Sequence, residues 1–312
     1  MIPSTTSATD NRSFRVGVAC ALLAHVCWGV FPLYWRMVGS VPSIALTAHR
    51  VIWSFVLLAI LTASVQRLRR IVWTRHEKRT LLIHACAAVM IGINWLAFLY
   101  AVESNQVLQA SLGYYINPLV NVLLGVMILR EKLYVPQMVA VGLAGIGVLV
   151  MTIAGSGVPW IALSMALSFG IYGLLKKKAP LGPFEGLTLE TGILFPIAAT
   201  YVLIGFQSPN AASLSALTWA LLMIGGAVTI TPLALFAVAA QRVPLSTIGI
   251  LQYVGPTMQW IVGAIILGEP VSTSQFIGFA FVWAGVVVFI AGNPTTRWFK
   301  SRMKTKPVLA KR

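Results

Sequence analysis

Residues 110–133 read ASLGYYINPLVNVLLGVMILREKL, a membrane-length apolar run with polar residues inside it and an abrupt end at Arg130-Glu131-Lys132. The run recurs 138 residues later, in 248–271, where Tyr253, Pro256, Gly263, Leu267 and Glu269 answer Tyr115, Pro118, Gly125, Leu129 and Glu131. The register continues forwards, with Gln275, Gly285 and Val286 against Gln137, Gly147 and Val148, and backwards, with Phe236 and Ala239 against Phe98 and Ala101. A shared spacing of that length marks an internal duplication. Its meaning depends on how many membrane crossings separate the two copies.

Composition supplies the solvent. Of 312 residues, 58% are hydrophobic and 10% charged, with a mean hydropathy of +0.85. A soluble domain carries about 25% charged residues, so much of this surface must face lipid. The formal charge of +16 does not point to nucleic acid. Almost all Lys and Arg sit in short segments between apolar runs, as in loops on one side of a membrane protein, where they also meet anionic headgroups. Cys20, Cys27 and Cys86 all lie within apolar runs without CxxC spacing. Buried thiols are expected, with no disulfide framework, metal site or cofactor. The first apolar run follows a polar start and lacks a small-residue cleavage site, so it reads as a retained helix.

A helix needs about 20 residues to cross the hydrocarbon core. Ten spans are expected, over 16–37, 44–65, 80–101, 108–129, 135–154, 159–176, 186–206, 216–240, 246–267 and 272–292. With both termini cytoplasmic, Arg12, Arg15, the cluster from Arg67 to Arg79, Arg130, Lys132, Lys176 to Lys178, Arg242 and the basic tail all fall on one side. The connections 102–107, 155–158, 207–215 and 268–271 hold no Lys or Arg, and only Arg36 and Arg50 break the pattern. Span four then answers span nine, an offset of five crossings. Because five is odd, the halves run in opposite directions. Trp28-Gly29 of span one likewise echoes Tyr172-Gly173 of span six. The expected architecture is an all-α integral membrane protein of ten transmembrane helices in a 5+5 inverted repeat. It comprises an N-terminal tail (1–15), a first repeat (16–154), a second repeat (159–292) and a basic C-terminal tail (293–312). Inverted repeats recur in secondary transporters, which bind substrate near mid-membrane at the repeat interface.

Candidate site residues follow from polar groups that hydrocarbon would penalise. Tyr114, Asn117, Asn121 and Gly125 share a face of span four, and Gln252, Gly255, Gln259 and Gly263 occupy the matching face of span nine. Pro118 and Pro256 each free a carbonyl one turn earlier and can bend their helices, as can Pro232. Asn94 and Trp95 in span three and Thr231 in span eight complete the candidate cavity wall. The same Asn and Gln residues serve equally to bond neighbouring helices. His25, His49, Arg50 and Glu190 are the candidates for charge or proton coupling. Arg50 is suited to an anionic group or to snorkelling towards headgroups, and Glu190 to a coupling proton, a cationic substrate or pairing with Lys176 to Lys178. Glu131 and Glu269 read as helix-ending residues remote from substrate. No Walker loop, HExxH, GxSxG or paired-carboxylate arrangement is present, so neither ATP coupling nor catalysis is expected.

The two long motifs SLGYYINPLVNVLLGVMILREKLYVPQMVAVGLAGIGVLV and TIGILQYVGPTMQWIVGAIILGEPVSTSQFIGFAFVWAGVVV resemble the EamA-type permeases of the drug/metabolite transporter superfamily. TAHRVIWSF (47–55), IGINWLAFLYAV (91–102), QASLGYYINPLVN (109–121), ALSFGIYGLLKKK (166–178) and LQYVGPT (251–257) are similar to the RarD subgroup, described as chloramphenicol-sensitive. Gln109 departs from that pattern, which has Glu there. The resemblance implies a ten-helix permease of the bacterial inner membrane, moving a small metabolite or drug-like solute by secondary-active alternating access. Its expected partners are the solute, the lipid bilayer and a candidate coupling proton. The competing reading is a non-transporting polytopic sensor or scaffold, which the short loops disfavour.

Overall fold

The computed structural model describes residues 6–38, 41–72, 76–104, 107–153, 160–205, 214–266, 268 and 272–292. Residues 1–5, Glu269 and the basic C-terminal tail lie outside them, as do the side chains of Gln109 and Glu103. The described residues form α1 (Thr6–Val38), α2 (Ser43–Ser64), α3 (Gln66–Val72), α4 (Lys78–Glu103), α5 (Val107–Met127), α6 (Val135–Ile153), α7 (Trp160–Lys178), α8 (Pro183–Thr200), α9 (Ala216–Arg242), α10 (Leu245–Leu251), α11 (Val254–Ile261) and α12 (Thr273–Gly292). A π-helical turn extends α8 through Tyr201–Gly205, and another extends α11 through Val262–Ile266. There is no strand among the described residues. Lipid offers backbone groups no partners, so a spanning segment bonds within itself, and helices meet that demand.

Among the described residues seven helices are long and apolar enough to cross a membrane, and Leu112–Met127 forms a shorter apolar helix. The two other expected spans are α7, whose last turn is Lys176, Lys177 and Lys178, and the α10–α11 rod. That rod is broken at Gln252 and Tyr253, where the sequence reads as one continuous span. Pro256 sits just past the break, whereas Pro118 lies inside an unbroken α5.

Contacts fix the directions of the helices. Gly125 of α5 lies against Ser246, Asn121 bonds Gln252, and the Tyr115 carbonyl accepts from the Tyr253 hydroxyl. Descending numbers on α5 thus meet ascending numbers on α10 and the break, so these repeat-related helices are antiparallel. On α6 and α12, Gly147 meets the Gly278 carbonyl and Gly285 meets the Ala140 carbonyl, again antiparallel. Exchanging the halves maps the α1–α9 contact onto α7–α4, α1–α11 onto α7–α5, and α2–α9 onto α8–α4. The pairs α5–α10, α6–α12 and α2–α8 map onto themselves. The fold is therefore an inverted repeat, with equivalent helices crossing at a pseudo-twofold axis. One end of the bundle gathers Lys176 to Lys178, Arg242, the start of α1 and the end of α5; it is called the basic end below.

The α6–α12 crossing depends on missing side chains. A Cβ on Gly147 would stand 2.5 Å from the Gly278 carbonyl oxygen, whereas one on Gly142 would meet nothing within 4 Å. Gly147→Leu forces two backbones apart, and overpacking of this kind costs about 1–3 kcal/mol or more. Thermal unfolding in detergent should show a clear loss for Gly147→Leu and parental stability for Gly142→Leu. Equal behaviour of the two variants would contradict the crossing.

Candidate functional site

A cavity of about 420 Å³ opens between the two halves, with α1, α2, α4 and α5 on one side and α7, α9 and the α10–α11 rod on the other. Its lining runs from mid-bundle towards the end opposite the basic one. Trp28, Phe31, Trp35, Trp95, Phe98, Tyr114 and Phe169 give its walls a large aromatic share. The rings continue inward: Trp28 packs on Phe169 at 5.6 Å between centroids, and Phe169 on Phe236 at 5.1 Å. Tyr172 and Phe236 stack at 6.1 Å and are fully buried. This aromatic layer is the floor of the cavity.

Among the described residues Arg50 is its one lining Lys or Arg. The guanidinium lies 4.8 Å from the Trp35 ring centroid and 5.1 Å from that of Trp95, an arrangement favoured by the negative ring faces. Its Nε donates to the Thr229 hydroxyl at 3.1 Å. Asn94, Asn117, Gln252 and Gln259 also reach the lining. Asn94 Nδ2 donates to the Met165 carbonyl at 2.9 Å, tying α4 to α7. Gln259 Nε2 donates to the Trp28 carbonyl at 3.1 Å, tying the rod to α1. His25 lines the cavity with Nδ1 2.6 Å from the Ala21 carbonyl, and its Nε2 is buried without a hydrogen-bond partner among the described residues, as is Asn117 Oδ1. A site with many apolar surfaces and a few placed polar groups is the usual form of a small-molecule pocket.

The structure thus brings Asn94, Trp95, Tyr114, Asn117, Gln252, Gln259, His25, Arg50 and Pro256 to one cavity. Asn121 sits behind the wall, donating to Gln252 Oε1 at 2.6 Å. Thr231 is on the exposed face of α9, its hydroxyl returned to the Ala227 carbonyl at 2.7 Å. Pro232 is buried within the unbroken α9, and Pro118 borders a small apolar void beside α6 and α12. His49 is buried away from the lining, edge-on to Trp219 at 5.5 Å. The Trp35, Pro32, Ser43 and Thr47 portion of the lining carries no periodic signal that would have marked it in advance.

Glu190 lies elsewhere, below the floor. Its Oε1 accepts from Lys176 Nζ and from His84 Nδ1, each at 2.8 Å, and its Oε2 accepts from the Tyr172 hydroxyl at 3.3 Å. Lys176, Glu190, His84 and Tyr172 are at most 1% exposed. The cluster joins α4, α7 and α8 near the basic end, and Tyr172 connects it to the cavity floor. A second closure involves Glu131, whose carboxylate accepts from the Leu245 and Ser246 amides at 2.8 and 2.9 Å and from the Ser246 hydroxyl at 2.6 Å. Lys177 Nζ donates to the Val243 carbonyl at 2.7 Å.

The profile of the EamA-like transporter family matches residues 15–153 and 156–291. A Bacillus subtilis protein named uncharacterized transporter YojE is 42% identical over 286 residues, covering 90% of this chain and 95% of its own length. An uncharacterized transporter of Vibrio cholerae is 40% identical, covering 90% of this chain and 93% of its own length. Protein RarD of Escherichia coli K12 is 38% identical, covering 90% and 96% respectively. A crystal structure with 17% identity superposes with a TM-score of 0.66 over 87% of this chain and 96% of that one, a likeness of fold.

Proposed function

We propose that this chain, which belongs to the EamA-like transporter family and is a multi-pass membrane transporter of that drug/metabolite class, carries a small solute by alternating access around the central cavity. One observation carries the reading: a 420 Å³ space built by both inverted halves, with an aromatic floor and two bonded closures on its basic side. In an inverted repeat the same contacts, exchanged between halves, build the oppositely open state. On this reading the ten spans cross a bacterial inner membrane with the basic end and both termini in the cytoplasm, and the conformation described is open away from the cytoplasm.

Counterflow into liposomes holding the purified chain tests the proposal, with a panel of metabolites and drug-like solutes. Exchange of at least one is expected, and Gly255→Phe should abolish it. Gly255 lines the cavity, and a Cβ there makes only ordinary contacts, the nearest 3.4 Å to the His25 carbonyl oxygen. The added ring therefore fills the space without displacing backbone. A folded Gly255→Phe variant that exchanges solute at the parental rate removes this cavity from the path, and no exchange of any solute sinks the carrier reading.

A further inference from the structure

We propose that the cavity selects a monocarboxylate with an apolar or aromatic body, and that Arg50 holds the carboxylate. The inference rests on the carrier reading and names its substrate class. Arg50 keeps its charge in any protein environment, and an isolated charge away from bulk water is costly unless paired. Its Nε is occupied by Thr229, its two terminal nitrogens have no hydrogen-bond partner among the described residues, and the residue lines the cavity. Among the described residues no acidic side chain lines the cavity. Four of the seven acidic residues have described side chains: Glu131 is bound to α10 and Glu190 to Lys176 and His84, while Glu77 and Glu185 lie at the basic-end starts of α4 and α8. The Trp35 and Trp95 rings bracket the guanidinium. They hold its planar fork in place without neutralising it.

A fork fixed with its two outer donors free matches the two oxygens of a carboxylate. The charge count separates this ligand from its competitors. A phosphate dianion would leave one charge unmatched, because no second Lys or Arg among the described residues lines the cavity. An organic cation would face Arg50 without a lining carboxylate among the described residues. The rest of the ligand meets Trp28, Phe98 and Phe169, which suit an apolar body.

Isothermal titration of the full chain in lipid nanodiscs, with empty discs as blank, tests this with pairs matched in shape and differing in charge: phenylacetate against phenylacetamide, and hexanoate against hexanamide. Each carboxylate should bind roughly ten- to a hundredfold tighter than its amide, as expected for charge-assisted bonds. Arg50→Gln should erase the difference. Amides binding as well as the acids, no acid binding at all, or a preference that survives in folded Arg50→Gln overturns the proposal. Comparison of the pairs on the parent chain stands even if Arg50→Gln does not fold. Liposome counterflow separates the two claims. Carboxylates that bind but never exchange leave the anion site and remove the carrier. Exchange of uncharged solutes without preference for carboxylates leaves the carrier and removes the anion site.

Discussion

Glu190→Ala is expected to destabilise the protein by about 3–5 kcal/mol, the range for breaking a buried ion pair by removing one partner. The loss comes less from the bonds deleted than from what they leave behind. Lys176 Nζ and His84 Nδ1 both direct their hydrogens at Glu190 Oε1 from 2.8 Å, and neither residue is more than 1% exposed. Without the carboxylate an ammonium and an imidazole N–H remain buried with no protein acceptor. A Cβ on the adjacent Gly186 would already stand 2.6 Å from His84 Cε1. Lys176→Met should cost less, because Glu190 then keeps His84 and Tyr172 as donors. The triple variant His84→Leu, Lys176→Met and Glu190→Leu should recover most of the loss, since an apolar replacement leaves nothing charged to strand. Denaturant or thermal unfolding in micelles ranks the four proteins. A Glu190→Ala protein as stable as the parent would mean that the cluster is hydrated and α8 is not packed as described.

That cluster also shows where sequence reasoning stops. The repeat was legible because Tyr, Pro, Gly and Glu recur at one spacing, and the odd number of crossings between copies dictated inversion. The antiparallel meeting of Asn121 with Gln252, and of Tyr115 with Tyr253, follows from that register. Glu190 stood out as a carboxyl inside an apolar run, with Lys176 among its candidate partners. Pairing it with His84 required knowing that α4 and α8 run side by side. Faces were harder still. Thr229 and Thr231 are about 200° apart on a helix; the first bonds Arg50 in the cavity wall and the second points outward. In α9 both flanks are equally apolar, so no periodicity distinguishes the cavity face from the lipid face. The same holds for Trp35 and Pro32 on α1, whose share of the lining comes only from packing. Arg50 could be found, since charge in a span is rare, but its choice between snorkelling and the cavity depended on two tryptophans from different helices.

By its sequence position Glu131 ends a helix, and the structure gives that ending a consequence. Arg130 adopts φ 56°, and the Glu131 amide donates to the Gly125 carbonyl at 3.0 Å, closing α5 in a left-handed cap. The turn aims the carboxylate at the first residues of α10, where it takes the Leu245 and Ser246 amides and the Ser246 hydroxyl. Pro244 precedes them and offers no capping side chain, so the cap for one half of the repeat is supplied by the other. Glu131→Gln retains one acceptor oxygen and loses the charge, and hydrogen bonds to charged groups contribute about 1.5–3 kcal/mol each. Amide hydrogen exchange at Leu245 and Ser246 should accelerate roughly ten- to a hundredfold in Glu131→Gln, while amides of the α6–α12 crossing keep parental rates. If the carrier reading is right, the basic end must part for the cavity to open there, and these bonds favour the state in which it is shut. The variant should then shift the population towards the other state by a similar factor. A cysteine placed at Thr247, buried at this junction, should label faster with a membrane-impermeant maleimide in the variant. Faster exchange at α10 without faster labelling would make Glu131 a cap and nothing more, whereas unchanged rates in both measurements would remove the bonds themselves.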